Sequence, residues 1–150
     1  ILKSGTPAVF GALQPEAGAV LERMAAERGC AVWRQGRDFG LRGDPLEYVG
    51  PAWRIADLEV PLRGLHQRDN AAVAIAGLER LSSRLPLDPS VVRRGLRRTR
   101  WPGRLEVILE RPLVVLHGAH NIDGVAALVR EMREIARDRR VRLLFAVMQD

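Results

Sequence analysis

The sequence predicts an α/β fold in which the end of one domain runs into the start of a second. Three observations carry that expectation. Short apolar runs alternate with segments whose apolar residues recur at helical spacing, the mark of β-α-β units with a parallel sheet. Between residues 36 and 62 the pattern breaks into brief extended pieces separated by Gly40, Gly43, Pro45, Gly50, Pro51 and Pro61, which predicts a small antiparallel sheet. At Pro102-Gly103 a hinge-forming pair separates two α/β patterns, so the boundary is expected between Arg98 and Arg104, with domains over 1–100 and 101–150.

Taken in order, residues 8–10 form a short buried strand ended by Gly11. Pro15 opens a helix whose Ala17, Val20, Leu21, Met24 and Ala25 share one face; Gly29 stops it, and residues 31–33 supply the next strand, joined by a right-handed crossover. The extended pieces of the broken region lie around Tyr48, over 53–55 and over 58–60. Helix returns over 69–83, with Val73, Ala76, Leu78 and Leu81 available to pack. Asp88-Pro89 is an N-cap followed by proline at the first helical position, so a further helix runs to about Arg97. Beyond the hinge come strands at 105–109 and 113–116. A helix near 124–137 comes next, striped by Val125, Leu128, Val129, Met132 and Ile135, and then a third strand over 142–147.

Composition sets outer bounds. In 150 residues, 47% are hydrophobic and 28% charged, the profile of a globular protein with a real core, and the length admits one ordinary domain or pieces of two. The net charge of +6 rests on arginine, since Lys3 is the only lysine. The one dense cluster, Arg93, Arg94, Arg97, Arg98 and Arg100, reads either as a solvated helix face and linker or as a surface that helps hold anionic ligands. No aromatic residues interleave it, so no nucleic-acid partner is expected. Cys30 is the only cysteine, which excludes an intrachain disulfide and a cysteine-based zinc site and favours a cytoplasmic setting. No apolar run approaches the roughly 20 residues that span a bilayer, so no membrane partner is expected.

Three segments carry chemistry. The apolar run Leu113-Val114-Val115-Leu116 breaks into His117-Gly118-Ala119-His120-Asn121 and opens a helix, the strand-turn-helix arrangement at which α/β proteins hold phosphate-bearing ligands. Gly64-Leu65-His66-Gln67-Arg68-Asp69-Asn70 leads into an alanine-rich helix, and Trp101-Pro102-Gly103-Arg104 leads into a strand. In this order and spacing the three resemble the ATP-dependent amide ligases that attach glutamate to folate, the folylpolyglutamate synthases, often also dihydrofolate synthases, of the Mur ligase superfamily. The resemblance spans essentially the whole chain. Residues 1–7 are similar to the stretch just after the Glu-Lys-Ala-Gly motif of that family's central domain, and Asp150 falls inside the motif after the third strand of its C-terminal domain. It therefore implies an internal fragment: the end of a P-loop-type central ATPase domain, with a parallel sheet plus a small antiparallel sheet, joined to the start of a Rossmann-like C-terminal domain.

The resemblance also implies roles. Asn70 matches the asparagine at the adenine, where a side-chain amide donates and accepts together, and Gln67 matches its neighbour in that pocket. Without the resemblance, His66 and Asn70 read as caps of the helix they precede. Arg104 matches the arginine that reaches the ATP phosphates, a task suited to a permanently charged planar fork, and Gly103 lets the backbone swing; the alternative is a surface arginine at a strand start. His120 and Asn121 match the His-Asn pair at the nucleotide end of the C-terminal domain, beside a helix N-terminus that favours negative charge. His117 stands in the same binding set where the family has aspartate, Ile122 stands where proline often comes after the asparagine, and Ala146 where glycine is usual. An imidazole in place of a carboxylate removes an acceptor for a hydroxyl or a metal-bound water.

The cofactors implied are ATP and Mg2+, and the substrates folate or dihydropteroate and L-glutamate, in a monomer. The complete enzyme would phosphorylate a folate carboxylate and let glutamate's amine displace phosphate, with domain closure bringing Arg104 and His120 to the site. The glycine-rich phosphate loop and the magnesium-holding groups of the family have no match in this sequence, so no catalytic residue and no metal ligand is assigned here, and the fragment alone is expected to be inactive. Two alternatives stand beside this reading: a peptidoglycan Mur ligase, against which His66-Gln67 and the Trp-Pro-Gly-Arg string weigh, and a noncatalytic nucleotide-binding homologue, which His117 and the absent loop favour.

Overall fold

A computed structural model describes residues 2–146. They divide into two compact units, Ile1–Trp101 and Pro102–Asp150.

In the first unit, β1 (Ala8–Phe10) and β2 (Val32–Arg34) pair in parallel, Ala8 opposite Val32 and Phe10 opposite Arg34, with α1 (Pro15–Glu27) as the crossover between them. The expected β-α-β unit is present. The buried face of α1 matches expectation in part: Ala25 is buried, Leu21 packs beside Ala8, Phe10 and Ala25, and Met24 is half-buried, but Gly18 joins them while Ala17 and Val20 face solvent. Positions 18, 21 and 25 form an equally good helical stripe. Periodicity alone does not choose which edge of a stripe is covered when both edges carry small and aliphatic residues.

The broken region forms a three-stranded antiparallel sheet in the order β3 (Gly40–Arg42), β4 (Leu46–Val49), β5 (Arg54–Leu58). β3 escapes the sequence pattern because glycines at 40 and 43 bracket it and read as turn. The piece expected over 58–60 contributes only Leu58. Asp57 lies in the left-handed region at φ 54°, and only Leu58 beyond it still pairs, opposite Leu46.

Helix α2 (Leu65–Leu81) starts four residues before the predicted 69, and its N-cap is Gly64, at φ 106° with no side-chain capping bond. His66 and Asn70 therefore do not cap this helix; they lie within its first two turns. A Cβ at position 64 would run into the His66 ring at 2.5 Å, so this entry geometry needs glycine. The face of α2 that packs on the sheet carries Ala72, Ile75, Ala76 and Glu79, in a core with Phe39, Tyr48, Trp53, Ile55 and Leu58. Val73 and Leu78 pack at its margin, but Leu81, expected to pack, is exposed. Helix α3 (Pro89–Arg97) adds Val92 to the same core, and its cap is the predicted one, the Asp88 carboxylate accepting from the Ser90 N–H at 2.6 Å.

Glu79 is the exception in that core, a carboxylate only 3% exposed. Its Oε2 accepts from the Tyr48 hydroxyl at 2.7 Å and its Oε1 from the backbone N–H groups of Ala52 (2.5 Å) and Trp53 (2.8 Å). Three donors on one buried carboxylate satisfy the rule that such a group is tolerated only when hydrogen-bonded. Burial, and then the adjacent Glu79 carboxylate, push the Tyr48 phenol far above its ordinary range, so it stays a donor.

In the second unit, β6 (Glu106–Glu110) and β7 (Leu113–Leu116) form an antiparallel pair with a register shift between Val107 and Leu109. Helix α4 (Ile122–Ile135) begins two residues before the expected start. Asn121 is its N-cap, with Oδ1 accepting from the Gly124 N–H at 2.8 Å. Its predicted stripe is only partly covered: Leu128, Met132 and Ile135 are half-buried, Val125 and Val129 exposed. The third strand expected over 142–147 is not formed over 142–146. Those residues join no ladder among the described residues, and Leu143, Leu144 and Phe145 are exposed. β-propensity makes a strand only when a neighbour supplies the paired N–H and C=O groups. Val147 lies outside the described residues, as do Ile1 and the motif end at Asp150.

Stability should respond unequally to changes at these bonds. Glu79→Ala orphans three donors, two of them buried, and is expected to cost about 3 kcal/mol, against about 2 kcal/mol for Tyr48→Phe, which removes one bond to the carboxylate; urea midpoints at equal m-value measure both, and the reverse order would contradict this account. Asn121→Ala is expected to cost about 1 kcal/mol of α4 end stability, roughly fivefold faster hydrogen exchange at the Gly124 amide, whereas Asn121→Asp retains the cap.

Candidate nucleotide-binding elements

In the first unit, Gln67 and Asn70 sit one turn apart on α2, and the Asn70 Nδ2 donates to the Gln67 Oε1 at 3.2 Å. Gln67 is buried while Asn70 is exposed, and the Gln67 Nε2 lies 3.1 Å from the His66 Nε2. A His66-Gln67-Asn70 chain thus ties the inner amide to an exposed Asn70 amide, which carries both an acceptor and a donor, the combination that a purine edge requires.

A cleft of about 490 Å³ lies near this helix start, lined by Gln35, Phe39, Arg42, Leu65, Arg68 and Asp69 among others. Asp69 accepts from the Gln35 side chain at 2.5 Å across it. Neither Gln67 nor Asn70 lines it. Sequence spacing carried no signal for this cleft, because most of its wall is the loop after β2 and strand β3, the strand hidden by glycines.

In the second unit the structure brings two of the sequence motifs together. The Gly118 N–H donates to the Gly103 carbonyl at 2.8 Å, the Leu105 N–H donates to the His117 Nδ1 at 3.1 Å, and the Gly103 N–H donates to the Glu106 Oε2 at 2.8 Å. The Pro-Gly-Arg loop and the turn opening α4 are therefore stitched into one surface. Arg104 stands between two residues in the left-handed region, Gly103 at φ 71° and Leu105 at φ 52°. For glycine that costs little; for leucine it costs roughly 1 kcal/mol. Leu105 is only 2% exposed, so apolar burial and the bond to His117 offset that cost.

The stitched loop presents Arg104 half-buried, and it forms no ion pair or hydrogen bond among the described residues. His120 is exposed, with Nδ1 making a long contact of 3.4 Å to the Gly118 carbonyl. Asn121 commits its Oδ1 to Gly124 and keeps its Nδ2 donors. The N-terminus of the 14-residue α4 adds the positive end of a helix dipole, partly offset by Asp123 in its first turn. A guanidinium, an imidazole, amide donors and a helix start make an arrangement suited to phosphate oxygens. His117 is engaged by the loop itself. One ring nitrogen is engaged by the Leu105 amide and the other is shielded from solvent, so the ring faces the protein. The signal that sequence reasoning lacked was the backbone at Leu105, since nothing in its side chain announces a positive φ.

No family model matches the chain. It is 39% identical over 144 residues to folylpolyglutamate synthase of Lacticaseibacillus casei, covering 90% of this chain and 34% of that protein. It is 33% identical over 160 residues to the dihydrofolate synthase/folylpolyglutamate synthase of Bacillus subtilis, covering 100% of this chain and 37% of that protein. Among solved structures it resembles a folylpolyglutamate synthase complex with AMPPCP and folate, with TM-score 0.82 and 38% identity over 89% of this chain and 35% of that one. It also resembles the Mycobacterium tuberculosis folylpolyglutamate synthase complexed with ADP, with TM-score 0.76 and 32% identity over 84% of this chain and 30% of that one. The chain spans about a third of the length of these relatives. With the fold and both motif-bearing elements matched over nearly its full length, the chain belongs to the folylpolyglutamate synthase/dihydrofolate synthase family.

Proposed function

We propose that the protein to which this chain belongs joins L-glutamate to a folate carboxylate with hydrolysis of ATP, and that dihydropteroate is a further acceptor. The observation that carries the reading is Arg104, held between two left-handed residues on a loop stitched to the turn that opens α4. In this proposal 1–100 is the end of a Mur-type central domain and 101–150 the start of its C-terminal domain, with the protein acting as a cytoplasmic monomer. The relatives' names, and the AMPPCP, folate and ADP of their complexes, support the ligands.

The chemistry divides into two steps. A folate carboxylate oxygen attacks the γ-phosphorus and ADP leaves, turning a poor electrophile into an acyl phosphate. The amine of glutamate then attacks the acyl carbon, inorganic phosphate departs with the bonding pair, and the amine proton passes to solvent or base. Arg104 neutralises charge that grows on the transferring phosphoryl oxygens, where a bidentate fork contributes most. His120 and the Asn121 Nδ2 hold the remaining phosphate oxygens, and Gln67 with Asn70 reads the adenine edge. Magnesium is part of the proposal for the complete enzyme. Among the described residues no group of three histidine, cysteine or acidic side chains converges to hold a metal.

The full-length protein is tested with ATP, L-glutamate and either dihydropteroate, dihydrofolate or tetrahydrofolate, measuring ADP release and the glutamylated product. Turnover with a folate substrate is expected. Turnover only with a muramyl nucleotide, or nucleotide binding without turnover, would overturn the reading. Arg104→Ala is expected to slow turnover tenfold or more with folding unchanged; wild-type turnover would remove Arg104 from the site.

A further inference from the structure

We infer that His117 is a positioning residue that holds Arg104 in place through the backbone of Leu105, rather than a residue that touches nucleotide. The inference rests on the reading of Arg104 as a phosphate contact. Leu105 comes directly after Arg104, adopts φ 52°, and gives its amide proton to the His117 Nδ1 at 3.1 Å. A backbone N–H can only donate, so Nδ1 is the acceptor in this bond. The neighbouring Gly118 N–H bonds the Gly103 carbonyl at 2.8 Å, so successive residues of one turn clamp the backbone on both sides of Arg104.

The geometry gives this clamp a purpose beyond stability. An arginine has many rotamers, and a guanidinium useful in a transition state must start from a backbone that does not wander. Leu105 without an amide acceptor relaxes toward the right-handed or extended regions that leucine prefers, and that rotation re-aims the residue before it. The side chain supplying the acceptor therefore controls the arginine without touching the substrate. An acceptor at the δ position of residue 117 is the whole requirement, which separates this proposal from a general need for histidine.

The test is a double-variant cycle in the full-length enzyme, read as kcat and KM for ATP and paired with hydrogen exchange at the Leu105 amide. His117→Leu is expected to lower kcat/KM about tenfold and to speed Leu105 exchange by a similar factor. His117→Asn, whose Oδ1 takes the place of Nδ1, retains both properties; His117→Gln, whose polar atoms lie one bond further out, does not. In an Arg104→Ala background, His117→Leu adds no further kinetic loss, because the two act as one unit. Multiplying losses, or equal behaviour of the Asn and Gln variants, overturns the proposal. If Arg104→Ala alone leaves turnover unchanged, the nucleotide reading fails instead, and Leu105 exchange still decides whether His117 holds the loop. Should the leucine variant fail to fold by circular dichroism, the Asn and Gln pair decides by the same criteria.

Discussion

The buried Glu79 carboxylate is the interaction on which the first unit depends. Helix α2 presents alanines to the sheet, and small side chains let a helix approach closely but hold it weakly in register. The carboxylate supplies the missing specificity. It binds the Tyr48 hydroxyl in the middle strand and two amides of the turn leading to β5, so the helix has one axial position and one rotation. Everything at the other end of α2, including the His66-Gln67-Asn70 chain, inherits its placement from that anchor through a continuous 17-residue helix. The arrangement is costly unless every donor is present, because a charged group in a low-dielectric interior is stabilised only by its partners.

The second unit solves a different problem by a related means. Among its described residues a two-stranded sheet and a partly covered helix give thin apolar packing. Hydrogen bonds between the loop before β6 and the turn after β7 fix the geometry there instead. Gly103, Leu105, His117 and Gly118 pair across 12 or more residues of sequence, and the strain of a left-handed leucine is held in check by its own burial. Strained backbone held by its surroundings is how a loop acquires the precision otherwise expected of a helix or strand.

Much of this was legible in the residues. The β-α-β unit, the Asp88 cap, the antiparallel character of the broken region and the strands on either side of Arg111-Pro112 arise from local chemistry: proline at a first helical turn, glycine at a helix end, alternation within short runs. The motifs stood out for the same reason, since Gln67, Asn70, Arg104, His120 and Asn121 are polar or charged residues near the starts of elements. Less legible were features that depend on a partner. Strand β3 was hidden by its flanking glycines, α2 began earlier because Gly64 adopts a conformation that needs no side-chain cap, and the strand expected over 142–147 is not formed over 142–146, where no neighbour among the described residues pairs with it.

The sequence by itself determined the class of the fold, the order of its elements and the chemical types assembled at its two motif-bearing ends, because helical and strand periods, caps and breakers act over a few residues. Tertiary structure alone decided which edge of the α1 stripe was buried, that Glu79 became the anchor of α2, and that His117 turned inward to the amide of Leu105. Those outcomes turn on which donor meets which acceptor across many residues, and on whether burial offsets a backbone angle that leucine ordinarily avoids. No local pattern encodes either quantity.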